Sequence, residues 1–168
     1  MKNSARELCE IAVSVALLAV SAWISIPIGA VPITLQTLVV ALTGLVLGAE
    51  RGMLATFLYL AMGFCGIPVF AGFKSGAAML LMPTGGFLFG LPVFAFLVGL
   101  GGKAKGKGVK LAASLLGLGL CYFFGAFWFQ RTSGIEGLKV IITCILPFII
   151  PDILKIVAAY VIAEKIQK

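Results

Sequence analysis

The sequence predicts an all-α integral membrane protein: six transmembrane helices in a compact bundle, with a re-entrant Gly/Pro-rich outer loop between helices 3 and 4. Three observations lead there. Of 168 residues, 61% are hydrophobic and 11% charged, whereas a soluble domain is about 45–50% apolar and about 25% charged. Several apolar runs approach the roughly 20 residues that a helix needs to cross a bilayer, and the mean hydropathy is +1.17. Finally, the basic residues gather in short segments between those runs, as they do in the loops of membrane proteins.

The first helix is expected over about residues 5–25. It ends at Ile26-Pro27-Ile28-Gly29-Ala30-Val31-Pro32, because each proline disfavours helix in the residue before it. A short second helix covers about 33–47, and a polar turn, Gly48-Ala49-Glu50-Arg51-Gly52, leads into the third, about 53–64. Residues 65–84 are rich in glycine and proline and read as an irregular loop folding back into the protein, since non-helical backbone at membrane depth must be buried or line a cavity. The fourth helix spans about 85–101 and the fifth about 109–129. The sixth runs from about 137 to 166 as one element, with Pro147 and Pro151 as kinks. The chain reads as a single transmembrane domain over 1–168.

Charge gives the orientation. With the N-terminus inside, nine basic residues fall in cytoplasmic segments: Lys2, Arg6, Arg51, Lys103, Lys105, Lys107, Lys110, Lys165 and Lys168. Only Lys74, Arg131 and Lys139 fall outside. This positive-inside bias places both termini in the cytoplasm. The net charge of +7 therefore belongs to membrane topology and does not point to nucleic acid. No cleavable signal peptide is expected, since the first apolar run lacks a small-residue cleavage site.

The chain has no histidine, and its four cysteines (Cys9, Cys65, Cys121, Cys144) form no C-x-x-C pair. That removes the commonest metal ligand and general base. Gly101-Gly102-Lys103-Ala104-Lys105-Gly106-Lys107-Gly108 resembles a phosphate-binding loop. However, Gly108 stands where a hydroxyl would hold magnesium, and no strand precedes it. No cofactor or bound nucleotide is expected.

Asp152 and Lys155 stand three apart in the last apolar helix, on one face and close enough to neutralise each other. An ionised side chain at mid-membrane costs about 2.5–3.5 kcal/mol, so the pair is either a structural staple or a polar site for a small solute. Two outward loops add polar and glycine residues. One carries Thr34 and Gln36; the other carries Phe70, Ala71 and Gly72 and continues to Thr84, Gly85, Gly86 and Phe87. Backbone N–H groups opening the fourth helix at Thr84 to Gly86 could receive a carbonyl or an anion. Turn chemistry alone could also account for either loop. In helix 1, Ala12, Ala16, Ala19 and Ala22 present small residues every three or four positions, suited to internal packing or to docking another membrane protein. Gly44-x-x-x-Gly48 and Gly86-x-x-x-Gly90 favour internal packing.

Four segments together resemble a known family: Val31-Pro32-Ile33-Thr34-Leu35-Gln36-Thr37, Tyr59 through Gly72, Pro83-Thr84-Gly85-Gly86-Phe87, and Pro151-Asp152-Ile153-Leu154-Lys155. In this order and spacing they resemble the biotin-specific S component of energy-coupling-factor (ECF) vitamin transporters, usually called BioY. The resemblance covers nearly the whole chain. It implies a substrate-capture subunit, not an enzyme, that binds biotin from outside. Uptake would be driven by a transmembrane coupling subunit and two ABC ATPases, with Ala12 and Ala16 matching the docking signature of the first helix. Met82 and Phe87 depart from the family pattern, where glycine and tyrosine are common. Alternatives are an S component for another vitamin, a stand-alone biotin transporter and a ligand-free helical scaffold. An intramembrane enzyme lacks the nucleophile–base pair or metal cluster it would need.

Overall fold

The computed structural model describes residues 2–27, 31–135 and 137–167. The extended segment expected over 26–32 thus lies partly outside the described residues. The elements in chain order are α1 (Lys2–Trp23), β1 (Ser25–Ile26), β2 (Ile33–Thr34), α2 (Gln36–Leu47) and α3 (Ala49–Phe64). A 3-10 turn at Ala71–Phe73 follows, then α4 (Ala78–Leu81), α5 (Gly85–Gly102), α6 (Lys107–Ser133), α7 (Leu138–Cys144) and α8 (Leu146–Ile166). Apart from the two-residue antiparallel pair β1–β2, which joins Ser25 to Thr34 and Ile26 to Ile33, the fold is helical. α5, α6 and α8 are each long and apolar enough to span a membrane.

Two expectations need correcting. The polar turn before α3 is mostly helix: only Gly48 breaks the chain, at φ +83°, a conformation that glycine adopts without steric cost. Glu50 then sits in the first turn of α3, where the helix dipole favours an acid. The final helix is not continuous. Ile145 leaves helical geometry (φ −120°, ψ −54°), separating α7 from α8. Pro147 falls at the start of α8, where its missing N–H is not needed.

In lipid, helices are held by close packing more than by hydrophobicity, and α5 shows how. A methyl added at Gly99 would collide with the backbone of Gly48 and Ala49. One at Gly44 would strike the Ala95 carbonyl, and one at Gly90 would meet Cys121. Gly52 packs on Gly44 equally tightly, its hypothetical Cβ lying 2.9 Å from the Gly44 Cα. Three of the four glycines in the two G-x-x-x-G segments thus serve packing, while Gly48 serves the turn. The main core joins α1, α2, α3 and α5 through buried Leu18, Val40, Ala55, Phe94 and Val98. A smaller cluster of Val31, Phe129, Val140, Cys144 and Phe148 joins α6, α7 and α8.

The bundle has two unlike ends. At one end Arg51 lies 3.6 Å from Glu7 and 3.5 Å from Glu10, while Gln167 donates to the Leu45 carbonyl. The start of α1, the end of α8, the α2–α3 turn and the 103–107 segment share this basic end. At the other end lie the β pair, the 65–84 segment and the α6–α7 connection.

Candidate ligand chamber

α8 carries its polarity on the wrong side for a soluble protein. Ile150 and Leu154 point outward, 72% and 64% exposed, whereas Asp152 and Lys155 are 4% and 9% exposed. Lys155 Nζ donates to Asp152 Oδ1 at 2.8 Å. Asp152 Oδ2 accepts the Tyr122 hydroxyl, from α6, at 2.7 Å. Acid, amine and phenol thus form one hydrogen-bonded group inside the bundle. The carboxylate is satisfied at both oxygens, as a buried charge must be. Lys155 can donate two further hydrogen bonds.

This group lies on the wall of a cavity of about 460 Å³, within the size range of small-molecule sites. Its walls are largely apolar, with Phe70, Phe87, Leu88, Leu91, Phe129 and Phe148 among the lining residues. Thr34, Gln36, Ala71 and Thr84 also line it, as does Lys74. The fold therefore brings to one chamber residues from four separate segments. The Gln36 side chain is buried, and its Nε2 has no hydrogen-bond partner among the described residues.

Gly72, Gly85 and Gly86 are not among the lining residues. Gly72 is exposed and takes φ +70°, which accounts for glycine there. The Gly85 N–H donates to the Met82 carbonyl at 2.9 Å, so it is not available to a ligand. Gly86 packs flat against Trp128 and the Phe124 carbonyl of α6. Conversely, Tyr122 and Lys74 escaped the sequence reading. Tyr122 sits in an aromatic run, Tyr122-Phe123-Phe124, where one hydroxyl gives no pattern. Lys74 reads in the sequence only as one of the few outer-loop charges.

The 65–77 segment roofs the chamber and is held from two sides. Tyr59 donates to the Val69 carbonyl at 3.1 Å, and Gly76 N–H donates to the Gly63 carbonyl at 2.7 Å. From α1, Trp23 donates to the Pro68 carbonyl at 2.9 Å and stacks on Phe73 at 4.9 Å. On the same helix Ala12 and Ala16 are exposed, whereas Ala19 and Ala22 are core residues at 7% and 0%. The small-residue stripe therefore divides, with its first half left unpacked.

Lipid-facing helices around an internal, ligand-sized chamber define a multi-pass membrane protein built to hold a small molecule. A model of the BioY family matches residues 1–168, and the chain belongs to that family. It is 46% identical over 163 residues to a protein named "Probable biotin transporter BioY" from Pyrococcus horikoshii, covering 97% of both chains. It is 42% identical over 165 residues to "Biotin transporter BioY" from Thermotoga maritima, covering 97% of this chain and 96% of the relative. Its fold matches a crystal structure of "the S-component for biotin from an ECF-type ABC transporter" with TM-score 0.91 and 30% identity, over 99% of this chain and 93% of that one.

Proposed function

We propose that this chain is the biotin-capturing S component of an ECF-type importer, a binding subunit and not an enzyme. It takes the vitamin from outside for ATP-driven uptake. The observation that carries this reading is the inward-turned Asp152–Lys155–Tyr122 group on the wall of an apolar chamber. A structural staple needs no such cavity beside it. Biotin offers ureido N–H groups that suit Asp152, and a ureido oxygen that suits Lys155. The bicycle then rests among Phe70, Phe87 and Phe148, and the carboxylate reaches Gln36, Thr34, Thr84 and Lys74.

Six membrane passages follow if α1, α2, α3, α5, α6 and the α7–α8 unit each cross once, with 65–84 re-entering from the outer side. The whole chain then forms one transmembrane domain. At roughly 1.5 Å per residue, the 12 residues of α2 are short for a span, and local thinning of the bilayer accommodates them. Clustering of Arg6, Arg51, Lys103, Lys105, Lys107 and Lys110 at one end supports an orientation with both termini in the cytoplasm and the chamber mouth outside. Ala12 and Ala16 form the docking stripe for the coupling subunit, which works with two ABC ATPases; this chain holds no cofactor.

The test is calorimetric titration of the purified chain with a panel of biotin, thiamine and riboflavin, with mass spectrometry of any co-purified molecule. Saturable binding of biotin alone is expected. Binding of another vitamin in its place, or of none, overturns the reading. A second expectation concerns Gln36→Leu. Biotin affinity falls about tenfold through loss of a hydrogen bond to a charged group, while the ligand-free protein still folds and melts cooperatively. Titration calorimetry beside melting of the ligand-free protein shows whether the loss is confined to binding.

A further inference from the structure

Two of the aromatic walls rest on glycines. The Phe70 ring comes from the roof, is 1% exposed, and points end-on at Gly63 of α3. A methyl there would overlap Cζ and lie 2.6 Å from both Cε atoms. Four residues earlier on α3, Tyr59 meets the same ring edge-to-face at 5.8 Å and 85°. Across the chamber, the Phe87 ring lays one edge on Gly125 of α6, where a methyl would overlap Cδ1 and Cε1. Both rings line the cavity.

We infer that Gly63 and Gly125 set the width of the chamber. Each is a positioning residue that lets a ring withdraw onto bare Cα, leaving space for the ligand's bicycle. The inference rests on the biotin reading for the identity of that ligand. A Cβ needs about 3.5–4.0 Å to a ring carbon, so alanine at either glycine displaces its ring by roughly 1 Å or more. At Gly125 the α6 backbone closes one side of the half-buried Phe87 ring, and the cavity it lines is the other. Phe87 is the better probe, because it is only half-buried and can move without dismantling the core. Gly119, on the same helix, has nothing within 4 Å of a hypothetical Cβ. Gly119→Ala therefore reports the effect of helix propensity alone.

Cys121 gives a readout that needs no ligand. It lines the chamber one turn before Gly125, and its thiol faces the Phe87 carbonyl at 3.5 Å. The experiment uses the full chain with Cys9, Cys65 and Cys144 replaced by alanine. It follows the labelling rate of Cys121 with a small membrane-permeant thiol reagent, alongside biotin affinity. Gly125→Ala is expected to slow labelling several-fold and to weaken biotin binding about tenfold, while Gly119→Ala changes neither. Adding Phe87→Leu to Gly125→Ala should restore both the labelling rate and the affinity to those of Phe87→Leu alone. Unchanged labelling in Gly125→Ala, or no rescue by Phe87→Leu, overturns the inference. If the parent protein neither binds biotin nor is protected by it from labelling, the vitamin assignment fails. The labelling comparison still decides the role of Gly125 in that case.

Discussion

Replacing Asp152 with asparagine and Lys155 with methionine together leaves the protein folded and abolishes useful biotin binding. The two side chains lie 2.8 Å apart and are almost wholly buried. Breaking such a pair from one side strands a charge and typically costs about 3–5 kcal/mol. Removing both charges often leaves stability unchanged or raised, because the desolvation of two ions is also removed. Lys155→Met alone is thus expected to melt well below the parent, and Asp152→Asn/Lys155→Met close to it. Affinity behaves otherwise. Neither variant retains the acceptor and donor set for a ureido group, and two hydrogen bonds to charged groups at about 1.5–3 kcal/mol each make a loss of at least about a hundredfold. Melting curves and titration calorimetry on the three proteins decide the matter. If the double variant binds biotin within a few-fold of the parent, the pair is a staple and the ligand sits elsewhere.

Ala12→Trp combined with Ala16→Trp leaves biotin affinity unchanged and reduces recovery of the partner subunits about tenfold or more. Both alanines are exposed, whereas Ile11, Val15 and Leu18 on the other face of α1 are buried. Indoles at these positions therefore project outward and spare the core. Small residues permit the close backbone approach that lets dispersion hold helices together in lipid, and a large ring on each of two successive turns removes it. Co-purification with tagged coupling subunit and ATPases, beside titration of the isolated chain, separates the two effects. Undiminished recovery counts against the stripe; weakened biotin binding in the isolated chain means that the variant has disturbed the bundle.

What the sequence disclosed follows from where it departs from hydrocarbon. Asp152 and Lys155 were legible because two charges in an apolar helix cost too much to be incidental, and their spacing of three placed them on one face. Thr34, Gln36 and Thr84 were legible as polar residues bordering apolar runs. The break at Ile145 was not. Leu138–Cys144 and Leu146–Ile166 are apolar nearly all round, so no amphipathic period marks where one helix stops. Gly85 and Gly86 were assigned to a ligand because their local signature is that of a helix start. The Gly85 N–H is used up by the Met82 carbonyl in a local turn, whereas the Trp128 side chain against Gly86 comes from the tertiary structure. Tyr122 was hidden for the same reason, since its use of Asp152 spans 30 residues.

Trp23 ties the chamber roof to the helix that bears Ala12 and Ala16. Between those alanines and the indole lie two to three turns of α1, roughly 10–16 Å of stiff rod at about 1.5 Å per residue. The rod's far end grips Pro68 and Phe73. A protein seated at the alanines would hold a lever, since tilting α1 at its base would pull on the cover of the vessel. Filling of the chamber would then answer to what is attached some distance below.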